Sequence, residues 1–217
     1  MRFETPSGPV TFDIDHLVVA GWTGRDQEKV RHHIDELAAI GVAPPSQVPL
    51  FYRTSASLTQ QSDHIQVLGA GTSGEIEPLI IHANGTFWLG LGSDHTDRPL
   101  EAHSVAASKQ ACPKPVAASL WPLDEVKDHL DALELHCEIH EDGAWVMYQT
   151  GTLSSIRPLA ELINTAKLPI GGAMLCGTLG AIGGVREATA YRMRLADPVL
   201  KREITLTYTV ATLPVIA

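Results

Sequence analysis

From Leu50 onward the chain is built of short apolar or alternating stretches, each broken within a few residues by Gly, Pro, Asn or Ser. That texture constrains the fold more than any single motif, because many brief strands bury their faces only in a rolled sheet or a sandwich. Stretches 50–53, 64–68, 75–82, 86–91, 116–120, 133–140 and 144–148 read as strands, and 204–211 alternates as another. Asn84-Gly85 lies between two apolar runs, and this dipeptide tolerates positive φ at both central positions of a tight hairpin turn. Glu141-Asp142-Gly143 is a second hairpin signal. Short helices are expected near 100–109, 124–130 and 158–165.

Residues 10–20 read as a strand whose end is dense in Leu, Val and Ala. A polar helix follows over 26–40, its apolar Val30, Ile34, Leu37 and Ala38 falling on one face at i, i+4, i+7 and i+8. Gly41 closes it, and Pro44, Pro45 and Pro49 prevent its return. No repeat or linker divides the chain. The expectation is one domain over 1–217, with 1–48 forming an N-terminal strand and lid segment and 49–217 a β-rich catalytic body. The fold class is mainly β with short helices, α+β.

Apolar residues make up 44% and charged residues 19%, which excludes global disorder. The net charge of −9, without a Lys/Arg cluster, argues against nucleic acid as a partner. Residues 1–12 lack a basic region followed by an apolar run, so a signal peptide is not expected and the location is read as cytoplasmic. No apolar stretch approaches the about 18–20 residues of a membrane span, so no membrane partner is expected. Cys112, Cys137 and Cys176 are odd in number and far apart, in keeping with small core residues in a reducing compartment.

Glu75-Ile76-Glu77 is the first feature with chemistry in it. On a strand, i and i+2 share a face, so both carboxylates point one way while Ile76 packs on the other. Such a pair is comfortable only when solvated or neutralised by a cation, and oxygen clusters select hard ions. Asp94 lies in a loop, Gly92 to Arg98, that follows an apolar strand. It reads equally as a functional group or as a cap for the next helix. His33 and Glu36 are neighbours on a helix face and could form a proton-moving pair or a solvated i,i+3 pair. Lys109, if it entered the carboxylate cluster, would bind a substrate carboxylate or stabilise an enolate. The Gly-rich run 177–184 lacks the P-loop Lys, yet offers backbone N–H groups and the Thr178 hydroxyl.

Together these pieces resemble, in order, the fumarylacetoacetate hydrolase superfamily from about Leu17 to Leu213, as a short and divergent member. Val19-Ala20-Gly21-Trp22, then His33-Ile34-Asp35-Glu36-Leu37, then Pro49-Leu50-Phe51-Tyr52 fill the places of its first strand, its H-x-x-E-L lid and its Phe-bearing strand. Glu75-Ile76-Glu77-Pro78-Leu79-Ile80-Ile81 is similar to its E-x-E-L strand. Ser93-Asp94 to Arg98, and Ser108-Lys109 followed by Pro113-Lys114-Pro115, match its next two segments. Asp142-Gly143 through Gln149, Ala160-Glu161-Leu162-Ile163, and Gly172 through Gly183 match the last three. Pro78 stands where the family has Leu and removes a ladder donor, which implies a bulge or an edge there. Ser93 replaces an Asn, Glu101 a Gln, and the lid lacks the usual Asn-Tyr.

The resemblance implies a rolled mixed β-sheet or sandwich with a small helical lid, and a homodimer. It implies Mg2+ or Mn2+ (Ca2+ as a substitute) on Glu75, Glu77 and Asp94. Arg98, Thr178, Phe51 and Glu101 would face a small-molecule carboxylic acid, with Lys109 and the lid pair His33 and Glu36 as catalytic residues. The function implied is hydrolysis of a C–C bond in a small oxo-acid such as an acylpyruvate. A decarboxylase, a hydratase or isomerase on the same site, and a non-catalytic metal- or ligand-binding member remain open.

Overall fold

The computed structural model describes residues 1–39 and 43–216, apart from the side chains of His33, Glu36 and Leu37. In chain order its main strands are β1 (His16–Gly21), β2 (Leu50–Thr54), β3 (His64–Leu68), β4 (Ile76–Ala83), β5 (Thr86–Ser93), β6 (Trp121–Pro122), β7 (Glu134–Glu141), β8 (Ala144–Thr152), β9 (Gly172–Leu175), β10 (Ala190–Asp197) and β11 (Arg202–Leu213). The helices that bear on the site are α1 (Gln27–Ala39), α2 (Arg98–Glu101), α3 (Val105–Gln110) and α4 (Leu159–Ala166). This is the mainly β, α+β architecture that the texture of short strands implies.

The strands form two mixed sheets. One has six strands in the order β6-β5-β4-β9-β1-β2, with β9 parallel to β1. The other has five, β8-β7-β10-β11-β3, with β11 parallel to β3. Val18, Ala20, Ile76, Ile80, Leu89 and Leu91 of the first sheet share one buried cluster with Leu135, Ile139, Tyr191, Met193, Leu195 and Leu206 of the second. The opposite face of the six-stranded sheet, with Leu17, Val19, Leu79, Ile81 and Leu175, packs on Phe3, Phe12, Val116 and Leu120. Both faces of its central strands are therefore apolar, and full burial of each such side chain stabilises by about 1.5–3 kcal/mol.

Several elements differ from the sequence expectation. The stretch 10–20 is two strands, Val10–Thr11 and β1, because Asp15 turns its amide to the Gly171 carbonyl at 2.9 Å. Residues 116–120 form no strand: the amides of Val116, Ala117 and Leu120 donate to Gln60, Leu91 and Glu4, three separate segments. The helix expected at 100–109 breaks in two, since Ser104 starts α3 by accepting from the Ala107 amide at 3.2 Å. It is Asp97, not Asp94, that caps α2, accepting from the Leu100 amide at 2.9 Å. The helix at 124–130 is Leu123–Val126 continued by a 3-10 turn, Lys127–Ala132. β10 was not anticipated, although Tyr191-Arg192-Met193-Arg194-Leu195 alternates buried and exposed as a half-buried strand should.

Pro78 lies neither at a bulge nor on an edge. β4 pairs with β5 in unbroken register, Pro78 opposite Leu91. The Pro78 carbonyl accepts from the Cys176 amide at 3.0 Å, just past the last β9 pair, Leu79 with Leu175. The missing N–H thus falls where β9 leaves the strand, and no β5 ladder bond is lost. α1 has mostly exposed positions among its described residues, with Val30 and Ile34 half-buried. Gly41, expected to close it, lies outside the described residues.

Candidate functional site

The β4–β5 hairpin sets the floor of the site. Asn84 (φ +52°) and Gly85 (φ +73°) form its turn, and the register runs from Ala83–Thr86 to Ile76–Ser93. One step further, the Asp94 amide donates to the Glu75 carbonyl at 3.0 Å. Glu75 and Glu77 both line a cavity of about 1060 Å³, while Ile76 between them is buried between the sheets. Lys109, Arg98, Glu101 and Thr178 line the same cavity.

Asp94 is wholly buried and does not line the cavity. One of its oxygens takes the Lys109 ammonium, which comes from the last turn of α3. The other lies 3.2 Å from Lys114 Nζ, an ion pair whose angle makes no hydrogen bond. Lys114, also fully buried, donates instead to the His95 carbonyl. Burial pushes the Asp94 carboxyl up, but the two ammonium groups outweigh it and hold the group below the usual carboxylate range. Burial pulls Lys109 down, and the carboxylates of Asp94, Glu75 and Glu77 more than restore it. Lys114 is lowered, because burial and the charge on Lys109 outweigh Asp94.

Glu77 is buried and held from a distant part of the chain. Its Oε2 accepts from the Gly177 amide at 2.7 Å, a contact between residues 100 apart in sequence. Gly177 sits at φ +97°, and a Cβ there would fall 1.6 Å from Thr23 Oγ1, so only glycine fits. Burial, and then the charges of Asp94 and Glu75, push the Glu77 carboxyl well up. Arg98 donates from Nε to Ser73 at 2.6 Å and from Nη1 to Glu101 at 2.9 Å, with Nη2 3.1 Å from Glu75. Thr178 is spoken for on both sides: it donates to the Ile76 carbonyl and accepts from Gln149 Nε2, each at 2.7 Å. The Gln149 side chain in turn accepts from the Ile76 amide at 2.9 Å, tying β8 to the start of β4.

The aromatic side chain that β2 brings to the cavity is Tyr52. Phe51, expected at the substrate, packs against the inter-sheet core because adjacent strand residues face opposite ways. The side chains of His33 and Glu36 lie outside the described residues. Sequence reasoning missed Lys114 and His95 as members of the site. His95 is buried, with Nδ1 3.1 Å from the Tyr208 hydroxyl and Nε2 2.8 Å from Thr72 Oγ1, and burial, then Lys114 and Arg98, pull its pKa down to about 3. It anchors the Asp94 loop to β11 as a neutral ring.

Two neighbouring carboxylates, with a third behind them, are donors of the kind that hold Mg2+ or Mn2+. The raised Glu77 carboxyl, crowded by the charges of Asp94 and Glu75, suits an added cation, whereas Asp94 Oδ1 already faces Lys114 Nζ at 3.2 Å. Among the described residues, no three His, Cys, Asp or Glu side chains stand gathered as a ready metal site. The donors therefore fit in chemistry, with Asp94 committed to lysine as the chain stands.

A family model described as a protein of unknown function, DUF2848, matches residues 20–208. The chain belongs to the DUF2848 family. No curated protein matches it. Among solved structures, this DUF2848 protein is similar to an uncharacterized protein from Mycobacterium abscessus ATCC 19977 / DSM 44196, at 14% identity and TM-score 0.66, over 98% of each chain. It is also similar to Cg1458, at 13% identity and TM-score 0.64, over 93% of this chain and 77% of that one. A third is 2-keto-3-deoxy-D-arabinonate dehydratase complexed with magnesium and 2,5-dioxopentanoate, at 16% identity and TM-score 0.62, over 93% and 74%. At such identities the likeness is one of fold.

Proposed function

We propose that this DUF2848 protein is a divalent-metal-dependent enzyme of small oxo-acids, on a fold of the fumarylacetoacetate hydrolase type. The observation that carries the reading is the pairing of Glu75 and Glu77 on the floor of one cavity, with the buried Asp94–Lys109 pair beside them. The dehydratase of the same fold, complexed with magnesium and 2,5-dioxopentanoate, supports it.

Glu75 and Glu77 would hold the ion, joined by Asp94 when Lys109 lets go. The ion, when bound, supplies Lewis-acid polarisation of the substrate's carboxylate and oxo oxygens. Lys109 then presents its positive charge to the negative charge that develops on the oxo oxygen. Arg98 holds Glu75 in place from one side and Glu101 from the other. Gly177 fixes Glu77 through its amide. Trp22 and Tyr52 wall the cavity beside the carboxylates. His33, with Glu36 three residues on in the same helix, would be the group to move the proton at the carbon beside the carbonyl or to activate water for attack on it.

Hydrolytic C–C cleavage is the first reading. Loss of water is the second, favoured by the activity in the name of the magnesium-bound neighbour. Acylpyruvates, oxaloacetate and 3-deoxy-2-oxo sugar acids incubated with Mg2+, Mn2+ or EDTA, with products identified by NMR, separate these reactions. Turnover that EDTA abolishes supports the proposal. No turnover across that panel, together with no Mg2+ or Mn2+ binding by calorimetry, would overturn it.

A further inference from the structure

The cavity is far larger than its charged floor requires. At about 1060 Å³ it reaches the top of the range of about 300–1,000 Å³ that holds drug-sized ligands, whereas a three- to five-carbon acid occupies a small part of that. Glu75, Glu77, Arg98, Glu101 and Lys109 carry the charge at the floor, and Arg25, Asp26 and Lys29 add charge elsewhere in the lining. Much of the remaining wall is carbon: Val30 from α1, Val105 from α3, and Leu179 and Val185 from the turn that follows β9. Val185 is 52% exposed while lining the cavity, an apolar side chain left facing open space.

Two aromatic residues complete that wall, and one is held there at a conformational cost. Trp22 sits at φ +61°, a left-handed conformation that bulky side chains rarely adopt. Its indole N–H donates to the Tyr52 hydroxyl at 3.1 Å. Gly21 beneath makes room for the Tyr52 ring, since a Cβ there would lie 2.8 Å from Tyr52 Cε2. Both rings line the cavity, and the Lys109 ammonium lies 5.7 Å from the centre of the Tyr52 ring. The aromatic wall therefore starts at the charged floor itself.

From this juxtaposition we infer that the substrate is an oxo-acid carrying a sizeable apolar substituent, a medium-length acyl or an aryl group, whose acid head lies on the carboxylate–lysine floor and whose tail lies along Trp22, Tyr52, Val105 and Leu179. The inference rests on the oxo-acid reading above and adds the class of substituent. A pocket of this composition gains about fourfold in affinity for each methylene it buries.

The test is a chain-length series. Binding of straight-chain 2-oxo acids from three to ten carbons is measured by calorimetry with Mg2+ present, and kcat/KM is measured for acylpyruvates of matching acyl length. The expected result is a rise of about fourfold per added carbon over at least four carbons, and a flattened rise in V105D. Should all lengths bind alike, or the shortest bind best, the substituent claim is overturned while the oxo-acid reading stands. Should no member of either series bind or react, both fall. The wild-type series decides the matter even where V105D fails to fold.

Discussion

The amide of Asp94 donates to the carbonyl of Glu75 at 3.0 Å, which extends the β4–β5 register one pair past its last strand pair, Ile76 with Ser93. Because the hairpin turns at Asn84-Gly85, each residue of β4 has a fixed partner on β5. A backbone bond thus sets the carboxylate loop beside the carboxylate strand, and the Arg98 side chain, 3.1 Å from Glu75, adds a second tie.

Glu77→Gln keeps an oxygen for the Gly177 amide and removes one buried negative charge. Activity with Mg2+ is expected to fall by more than about 100-fold, beyond the cost usual for residues that merely support a ligand. The midpoint of thermal unfolding without metal should hold or rise, because repulsion from Asp94 and Glu75 is relieved. A steady-state assay beside a melting curve checks both halves. A strongly destabilised but fully active variant would contradict the role given to Glu77.

Lys114→Met strips Asp94 of one of its two cations and the His95 carbonyl of its lysine donor. Removing one partner of a buried ion pair costs about 3–5 kcal/mol. The exposed Lys127, paired with Asp124 at 3.3 Å, should cost no more than about 1 kcal/mol when changed to Met. Denaturant unfolding of both variants measures the contrast, and equal costs would mean that Lys114 is not the buried clamp described here.

Gly177→Ala forces a Cβ into Thr23 and strains a residue held at φ +97°. The expected loss exceeds about 2 kcal/mol, more than a glycine-to-alanine change costs where the conformation is compatible. Thr23→Ala in the same chain removes the clashing hydroxyl and should recover part of the loss while leaving the φ strain. A double-mutant cycle on unfolding free energies shows whether the two changes are coupled.

The raised Glu77 carboxyl fixes the sign of one pH effect. Its folded pKa lies above its ordinary value of 4.5, so between the two the native state holds a proton that the unfolded state has lost. This group's contribution therefore falls as pH climbs from 4.5 towards the folded pKa, and the metal-free protein gains from mild acid at this site. Asp94 has the opposite sign: its folded pKa is depressed, so its contribution is present above 3.8 and is lost as pH falls further. Melting curves from pH 5 to pH 8 should show the Glu77 slope in wild type and its absence in E77Q. Added Mg2+ should raise the melting midpoint more at pH 8 than at pH 5, since ligating carboxylates must be deprotonated. A uniform Mg2+ effect across that range would argue against carboxylate ligation.

Local signals in the sequence carried much of the site. The Asn84-Gly85 turn centres the hairpin so that Glu75 faces Asp94, and the spacing of Glu75 and Glu77 puts both on one cavity wall with Ile76 in the core. Turn chemistry and strand period act over a few residues, so the residues themselves specify them. Tertiary packing decided the rest. That Lys114 turns inward to Asp94 depends on the parallel pairing of Lys114 with Thr59. That the Gly177 amide meets Glu77 depends on a contact across 100 residues. That Tyr52 and not Phe51 faces the cavity depends on which side of β2 meets the second sheet. A buried charge is tolerable only through its partner, and the partner is supplied by the folded chain, so no pattern around a lone lysine or glycine announces it.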